Sequence, residues 1–188
     1  MIEKSATSAC LAFFAGLTST IADPAARLNT MVKKMENPVL QQIKNWRYLS
    51  ENLATGGQPT EQQLAAIAAA GYHVVINLGL MNEDYSLADE KSFLESLGLD
   101  YVHIPVEWET PTSSDLERFI AAMKNLSDRK IFVHCAANKR VSVFIALYRI
   151  LEQGWSQEDA MAGVLDVWEP NEAWCRFIEG VLSQRRRP

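Results

Sequence analysis

At 188 residues, with 48% hydrophobic and 22% charged side chains, the chain is long enough for one domain with a sizeable core, and disorder is not expected. A net charge of -5 argues against general nucleic-acid binding, where a basic surface supplies most of the affinity; the basic run Arg185 to Arg187 reads as a solvated end. No segment approaches the roughly 18 consecutive apolar residues of a membrane span, and Cys10, Cys135 and Cys175 make neither a metal-like pair nor an even disulfide set, so a reducing, cytoplasmic setting is the default.

Residues 1–36 read as an N-terminal extension. Lys4 precedes an apolar stretch from Ala9 to Leu17, and Thr20-Ile21-Ala22 resembles a weak cleavage site, so residues 1–22 have the outline of an export signal that would place the protein in the periplasm. Glu3, the single basic residue and the short apolar core weigh against it. Met31, followed by Val-Lys-Lys, is an alternative start.

The domain proper spans residues 37–188. A short linker with a helical turn leads to one or two strands between Trp46 and Leu53. Gly56-Gly57-Gln58-Pro59 is a turn, and Thr60 with Gln63 makes a capping box for a helix ending near Ala70. His73 to Leu78 is β-branched and strand-like. An amphipathic helix over Leu87 to Leu97, a strand over Tyr101 to Ile104, and a helix from Asp115 to about Leu126 boxed by Ser114 and Glu117 follow. After a strand at Ile131 to Val133 come helices from Val141 to Glu152, from Ser156 to Trp168, and from Pro170-Asn171 onward.

Strands alternating with helices, then helices alone, give a single α/β domain with a mainly parallel sheet covered on both faces. Ligands of such sheets bind at the carboxyl ends of the strands. Three loops meet that description: Gly79 to Tyr85, Pro105 to Thr112, and Cys135 to Arg140.

The third carries the chemistry. A strand feeding a helix through a tight turn points the first free N–H groups of the helix into the turn, where they attract an anion. Cys135 stands there, beside Lys139 and Arg140, and a thiol so placed ionises more readily than a free one; the thiolate is the nucleophile. A buried, inert thiol is the competing reading. His73, His103 and His134 lie in strand-like runs without metal-ligand spacing, and His73 and His103 read as structural.

His134-Cys135, a short loop, an arginine and Ser142 resemble the signature of cysteine-dependent tyrosine and dual-specificity phosphatases, in which His-Cys, five residues, Arg and Ser/Thr form a phosphate cradle. Leu53 to Thr60, Gly71 to Leu78, Tyr101 to Val106 and Trp168-Glu169-Pro170-Asn171 extend the likeness over Trp46 to Leu182. They resemble a compact bacterial subgroup that includes the phosphatase-like domain of beta-lactamase-hydrolase-like proteins.

The loop departs from that signature, because Arg140 follows Cys135 after four residues and Val141 occupies the expected arginine position. In a loop of the usual length, Asn138 takes a family glycine position, Ser142 stays in register, and Val141 faces the anion while Arg140 turns toward solvent, Glu107 or Glu109. In a loop shortened by one residue, Arg140 folds over the phosphate. The first is preferred, since it preserves two matches.

The resemblance implies roles. Cys135 attacks phosphorus to give a cysteinyl phosphate, and backbone groups of Ala136, Ala137, Asn138, Lys139 and Val141 hold the phosphate oxygens. Arg140 is the charged clamp, Ser142 helps the thiol depart, and His134 orients the loop and tunes the thiol. The family's general acid is an aspartate; here Glu109 is the candidate, with Glu107 and Asp84 as fallbacks. No metal or cofactor is implied. The expected function is hydrolysis of a phosphate monoester; the alternative is a catalytically impaired module that binds a phosphorylated or other anionic ligand.

Overall fold

Each of the five strands contains β-branched or aromatic residues, and the five pair into one layer. In the computed structural model, which describes residues 37–81 and 84–185, the strands are β1 (Arg47–Ser50), β2 (Leu53–Gly56), β3 (Val74–Asn77), β4 (Asp100–His103) and β5 (Ile131–His134). Their order is β1-β2-β5-β3-β4; β1 pairs antiparallel with β2 and the other pairings are parallel. The register aligns Gly56, His134, Asn77 and His103 across β2, β5, β3 and β4. Four carboxyl ends therefore open on one edge, and the cysteine follows the central one.

The helices are α1 (Pro38–Gln41), α2 (Glu61–Ala69), α3 (Glu90–Ser96), α4 (Ser113–Asn125), α5 (Lys139–Glu152), α6 (Gln157–Leu165) and α7 (Glu172–Arg185). Val74, Ile76, Ile131 and Val133 join α4 to α7 in one buried cluster, whereas Val75, Phe132 and Ala54 join α1 to α3 in another. Burial on both faces explains why β3 and β5 read as continuous apolar runs instead of alternating ones. The α/β class with helices on both faces is the observed one.

Several boundaries differ from the sequence reading, among them the start of α3 at Glu90 and not Leu87. Helix α4 is capped by Thr112, not Ser114: the Thr112 hydroxyl accepts from Asp115 N at 3.2 Å and the Asp115 carboxylate accepts from Thr112 N at 3.1 Å, an aspartate serving where the box usually has Glu or Gln. Helix α5 begins at Lys139, two residues before Val141, and α6 stops at Leu165. The capping box of Thr60 and Gln63 is present as read.

The proposed export signal and the alternative start at Met31 lie outside the described residues. Among the described residues, no helix is long and apolar enough to cross a membrane, and no group of three or more His, Cys, Asp or Glu could hold a metal ion. Cys135 is a free thiol. Cys175 is disulfide-bonded, which corrects the expectation from the odd cysteine count.

Candidate active site

Beyond β5 the chain turns through Cys135 to Asn138 and enters α5 directly. The turn is possible because Asn138, the residue before the helix, adopts φ 62 and ψ 4, a left-handed conformation that asparagine tolerates better than most side chains. Its amide is occupied elsewhere: Nδ2 donates to Asn45 O at 2.7 Å and to Thr55 Oγ1 at 3.0 Å. Asn45, itself at φ 52, returns a bond from its own Nδ2 to Ala137 O at 2.9 Å. Two left-handed asparagines thus clasp the loop from below.

Because Asn138 makes no side-chain cap bond, the N–H groups of Lys139, Arg140 and Val141 are left without an internal cap; the first bond of the helix runs from Ser142 N to Asn138 O at 2.9 Å. Such an uncapped start favours an anion. On the other side, Gln58 N donates to Ala136 O at 3.3 Å and Gly57 bridges to Ala137. A Cβ at Gly57 would meet Ala136 O at 3.0 Å and Lys44 O at 3.1 Å, both backbone atoms, so any other residue would have to push this close approach slightly apart. The β2–α2 turn is therefore a fourth wall of the site, one that reading strand ends alone did not count.

Cys135 lies at the floor, 1% exposed. The arginine register differs from the preferred reading. Val141 is fully buried within the core cluster of α4 to α7, and Arg140 is also buried, at 6% exposure, with its guanidinium carbon 5.4 Å from the centre of the Trp108 ring. A β-branched apolar side chain such as Val141, on the first turn of a helix flanked by sheet and helices, packs inward, which leaves the adjacent position for the cation. The Arg140 Nε, buried, has no hydrogen-bond partner in the structure. Lys139 is half-buried, its ammonium 5.2 Å from the Trp168 ring centre and 5.8 Å from that of Trp108.

Trp108 is thus the pivot between the loop after β4 and the start of α5. Its ring also packs on Trp168 and Trp174, with centroids 5.1 and 5.5 Å away, and its carbonyl accepts from Trp174 Nε1 at 2.9 Å. Glu107 and Glu109, on either side of it, are exposed, and so is Asp84 in the loop after β3. Ser142 is engaged locally: its hydroxyl donates to Lys139 O at 2.8 Å and accepts from Trp168 Nε1 at 3.2 Å. The Trp168 to Asn171 segment therefore has two structural tasks, since Asn171 Oδ1 also accepts from Trp174 N at 3.2 Å at the start of α7.

A group that sequence reasoning missed stands against His134, the residue before the cysteine. Glu90, on the first turn of α3, is 1% exposed, and its Oε1 stands 3.1 Å from His134 Nε2. Gln58 Nε2 donates to the same carboxylate at 3.0 Å, Asn77 Nδ2 at 2.7 Å and the Tyr101 hydroxyl at 3.2 Å. Burial alone would raise the Glu90 pKa, but the charge of His134 and the hydrogen bonds from His134, Gln58 and Asn77 outweigh it and hold the carboxyl at about 2. Tyr101 is pushed above its ordinary range by burial and by the Glu90 charge. In the sequence Glu90 looked like one more charge on a solvated face.

An open groove of about 600 Å³ meets the loop at Ala136, between Lys44, Gln58 and Pro59 on one side and Tyr85 and Leu87 on the other. A hollow of about 350 Å³ bordered by Trp46, Tyr72 and Lys130 lies near the amino ends of β3 and β5, at the far edge of the sheet.

The family model described as a DSP-PTPase phosphatase fused to NAD+ kinase matches residues 28–169. A beta-lactamase hydrolase-like protein of Agrobacterium fabrum is 28% identical over 107 residues, 55% of this chain; the match spans a quarter of that relative's length. Among solved structures, a Shewanella putrefaciens protein described as a candidate phosphatase (DUF442) is 30% identical, covers 88% of this chain and 98% of its own, and superposes with a TM-score of 0.69. P. aeruginosa TpbA in complex with phosphotyrosine shares the fold at 17% identity, with a TM-score of 0.59 over 76% of this chain and 91% of its own. The chain therefore belongs to the DSP-PTPase phosphatase family, a compact branch of the cysteine-dependent tyrosine and dual-specificity phosphatases.

Proposed function

We propose that the protein hydrolyses phosphate monoesters through a cysteinyl-phosphate intermediate on Cys135. The observation that carries this reading is the first turn of α5: three uncapped N–H groups and a buried arginine with an unpartnered Nε stand immediately after a free cysteine. The thiolate attacks phosphorus, the phosphoryl group passes to sulfur, and the leaving oxygen takes a proton from a carboxylic acid. Water then attacks phosphorus while the carboxylate takes its proton, and the P–S bond breaks to release phosphate and restore the thiolate. The N–H groups of residues 136–141 and the Arg140 fork neutralise the phosphoryl oxygens as charge builds on them.

Glu109 is assigned as the proton donor, with Glu107 and Asp84 as its alternates, because the Trp108 contact with Arg140 fixes the loop of the two glutamates at the helix start. Ser142 assists departure of sulfur through its place in the Lys139 turn, and its bond from Trp168 holds it there. The substrate is a phosphorylated molecule whose remainder lies in the groove beside Ala136. Residues 37–188 act as the phosphatase domain, and the cytoplasm is the assigned site of action, the periplasm being the alternative if residues 1–22 direct export.

The exposed positions of Glu107 and Glu109 favour one second reading, a phosphate-binding module with slow or no chemistry. Turnover of a small aryl phosphate, with and without a chelator, decides between them. The hydrolase reading expects chelator-insensitive turnover that Cys135→Ser abolishes. Equal rates in the two proteins would overturn it, and calorimetric binding of tungstate without turnover would favour the module.

A further inference from the structure

Two carbonyl oxygens of the cysteine loop are held from outside it. Ala136 O accepts from Gln58 N at 3.3 Å, and Ala137 O accepts from the side-chain Nδ2 of Asn45 at 2.9 Å. The second donor belongs to the turn between α1 and β1, 92 residues earlier in the chain. That turn is firmly seated. Ile43 and Trp46 on either side of it are buried, Trp46 N donates to Ile43 O at 3.1 Å, and the Trp46 ring stacks on Phe132 of β5 with centres 5.5 Å apart. Asn45 is itself left-handed at φ 52, and Lys44 O beside it accepts from Gly57 N at 2.6 Å.

The bond to Ala137 O decides which way one peptide faces. A trans peptide is planar, so its C=O and N–H point to opposite sides. Turning the peptide between Ala137 and Asn138 over by about 180° would carry φ of Asn138 from 62 to roughly −118, a region open to any L residue. The left-handed backbone of Asn138 and the held oxygen of Ala137 are therefore one feature, and the held arrangement is the strained one. In the turned arrangement Ala137 O takes the side of the Asn138 N–H, one of the groups that the proposed mechanism aims at the phosphoryl oxygens. A carbonyl oxygen there repels an anion instead of attracting it.

We propose that Asn45 is a positioning residue for the phosphate site: by holding Ala137 O it keeps the peptide between Ala137 and Asn138 in the arrangement that accepts an anion. The inference rests on the loop of Cys135 being an anion site, which the hydrolase and binding-module readings share. Asn138 fastens the same contact from the other side, since its Nδ2 donates to Asn45 O at 2.7 Å. Loss of the Asn45 amide leaves that return bond in place but removes the restraint on the Ala137 oxygen, so the relaxed, turned peptide gains population. An anion that binds one arrangement alone then loses apparent affinity in proportion to the fraction left in it.

The test is calorimetric titration of tungstate into wild type, Asn45→Gly, Asn138→Gly and the double variant, with a thermal melt of each. Glycine accepts φ 52 without strain, so Asn45→Gly removes the amide and little else. It is expected to weaken tungstate binding about tenfold in the folded protein. A purely structural asparagine would lower the melting temperature and leave the affinity of the folded protein unchanged. Because Asn138→Gly removes the strain at φ 62, adding Asn45→Gly to it weakens binding by about threefold or less. In turnover, saturating substrate selects the competent loop, so Asn45→Gly raises KM for an aryl phosphate about tenfold while kcat is retained. A folded Asn45→Gly protein with wild-type tungstate affinity would overturn the proposal and leave the anion site standing; equal losses in the two backgrounds would overturn it as well. Should Asn45→Gly fail to fold, a crystal structure of wild type with tungstate decides: a bound anion with Asn45 still on Ala137 O supports the proposal, and a bound anion with that bond broken overturns it. Wild type that binds tungstate without turnover keeps the role of Asn45 and removes the hydrolase reading, whereas wild type that binds none removes the site and the proposal together.

Discussion

The guanidinium carbon of Arg140 lies 5.4 Å from the centre of the Trp108 ring, and this contact ties the loop after β4 to the first turn of α5. It bears on how a loop with four residues between cysteine and arginine can work. Starting α5 at Lys139 brings Arg140 into the first helical turn, while Val141 fills the core. In the proposed mechanism the arginine approaches the phosphoryl group from the helix start.

If so, Arg140→Ala lowers kcat and kcat/KM together, by about 2 to 4 kcal/mol in transition-state stabilisation, as for other lost oxyanion donors. Val141→Arg gives no gain in activity and costs stability, because it would bury a charge in the apolar cluster beneath α4 to α7. Steady-state kinetics on an aryl phosphate, with melting curves for both variants, checks this. Full activity in Arg140→Ala would show that the fork does not reach the phosphoryl group.

Asn138 is expected to tolerate neither ordinary side chains nor loss of its amide. Asn138→Ala keeps a Cβ at φ 62 and loses the bonds to Asn45 O and Thr55 Oγ1, a combined destabilisation of about 2 to 4 kcal/mol. Asn138→Gly removes the backbone strain and retains roughly half of that loss. Denaturant melts of the two variants measure the difference; equal stabilities would mean that the left-handed turn costs nothing.

These two residues mark what the sequence could and could not reveal. The strands, the helix at Thr60 and the cysteine loop were legible because each rests on local signals: β-branched runs, a capping box, and a strand followed by a helical repeat. The place of asparagine in a left-handed turn was legible too, since that preference belongs to the residue itself. The arginine register was not. It depends on where α5 begins, and that is decided by Val141 packing into a core assembled from α4 to α7, contacts far away in the chain. Glu90 was hidden for a similar reason: its donors come from positions 58, 77, 101 and 134, with no spacing that links them. Trp108 carries no signal of its own in the sequence, and only the fold brings it to Arg140.

Glu90 also predicts how stability depends on pH. Its carboxyl is held at about 2 in the folded protein, below its ordinary value of 4.5, so the folded state favours the ionised form. The resulting stabilisation is fully present above about pH 4.5 and disappears as pH falls through about 2, amounting to roughly 3 kcal/mol at most. Glu90→Gln should be less stable than wild type at neutral pH, and the gap should narrow as the solution is acidified through that window. Urea melts at successive pH values check it, and a gap independent of pH would contradict the assignment of the charge.

The most direct test of the central claim is to quench the enzyme with acid during turnover of an aryl phosphate and examine the Cys135 peptide by mass spectrometry. A cysteinyl-phosphate mechanism predicts a phosphoryl group on Cys135 in the wild-type protein, absent without substrate and absent in Cys135→Ser. Turnover that proceeds with no phosphorylated Cys135, and that survives in Cys135→Ser, would contradict it.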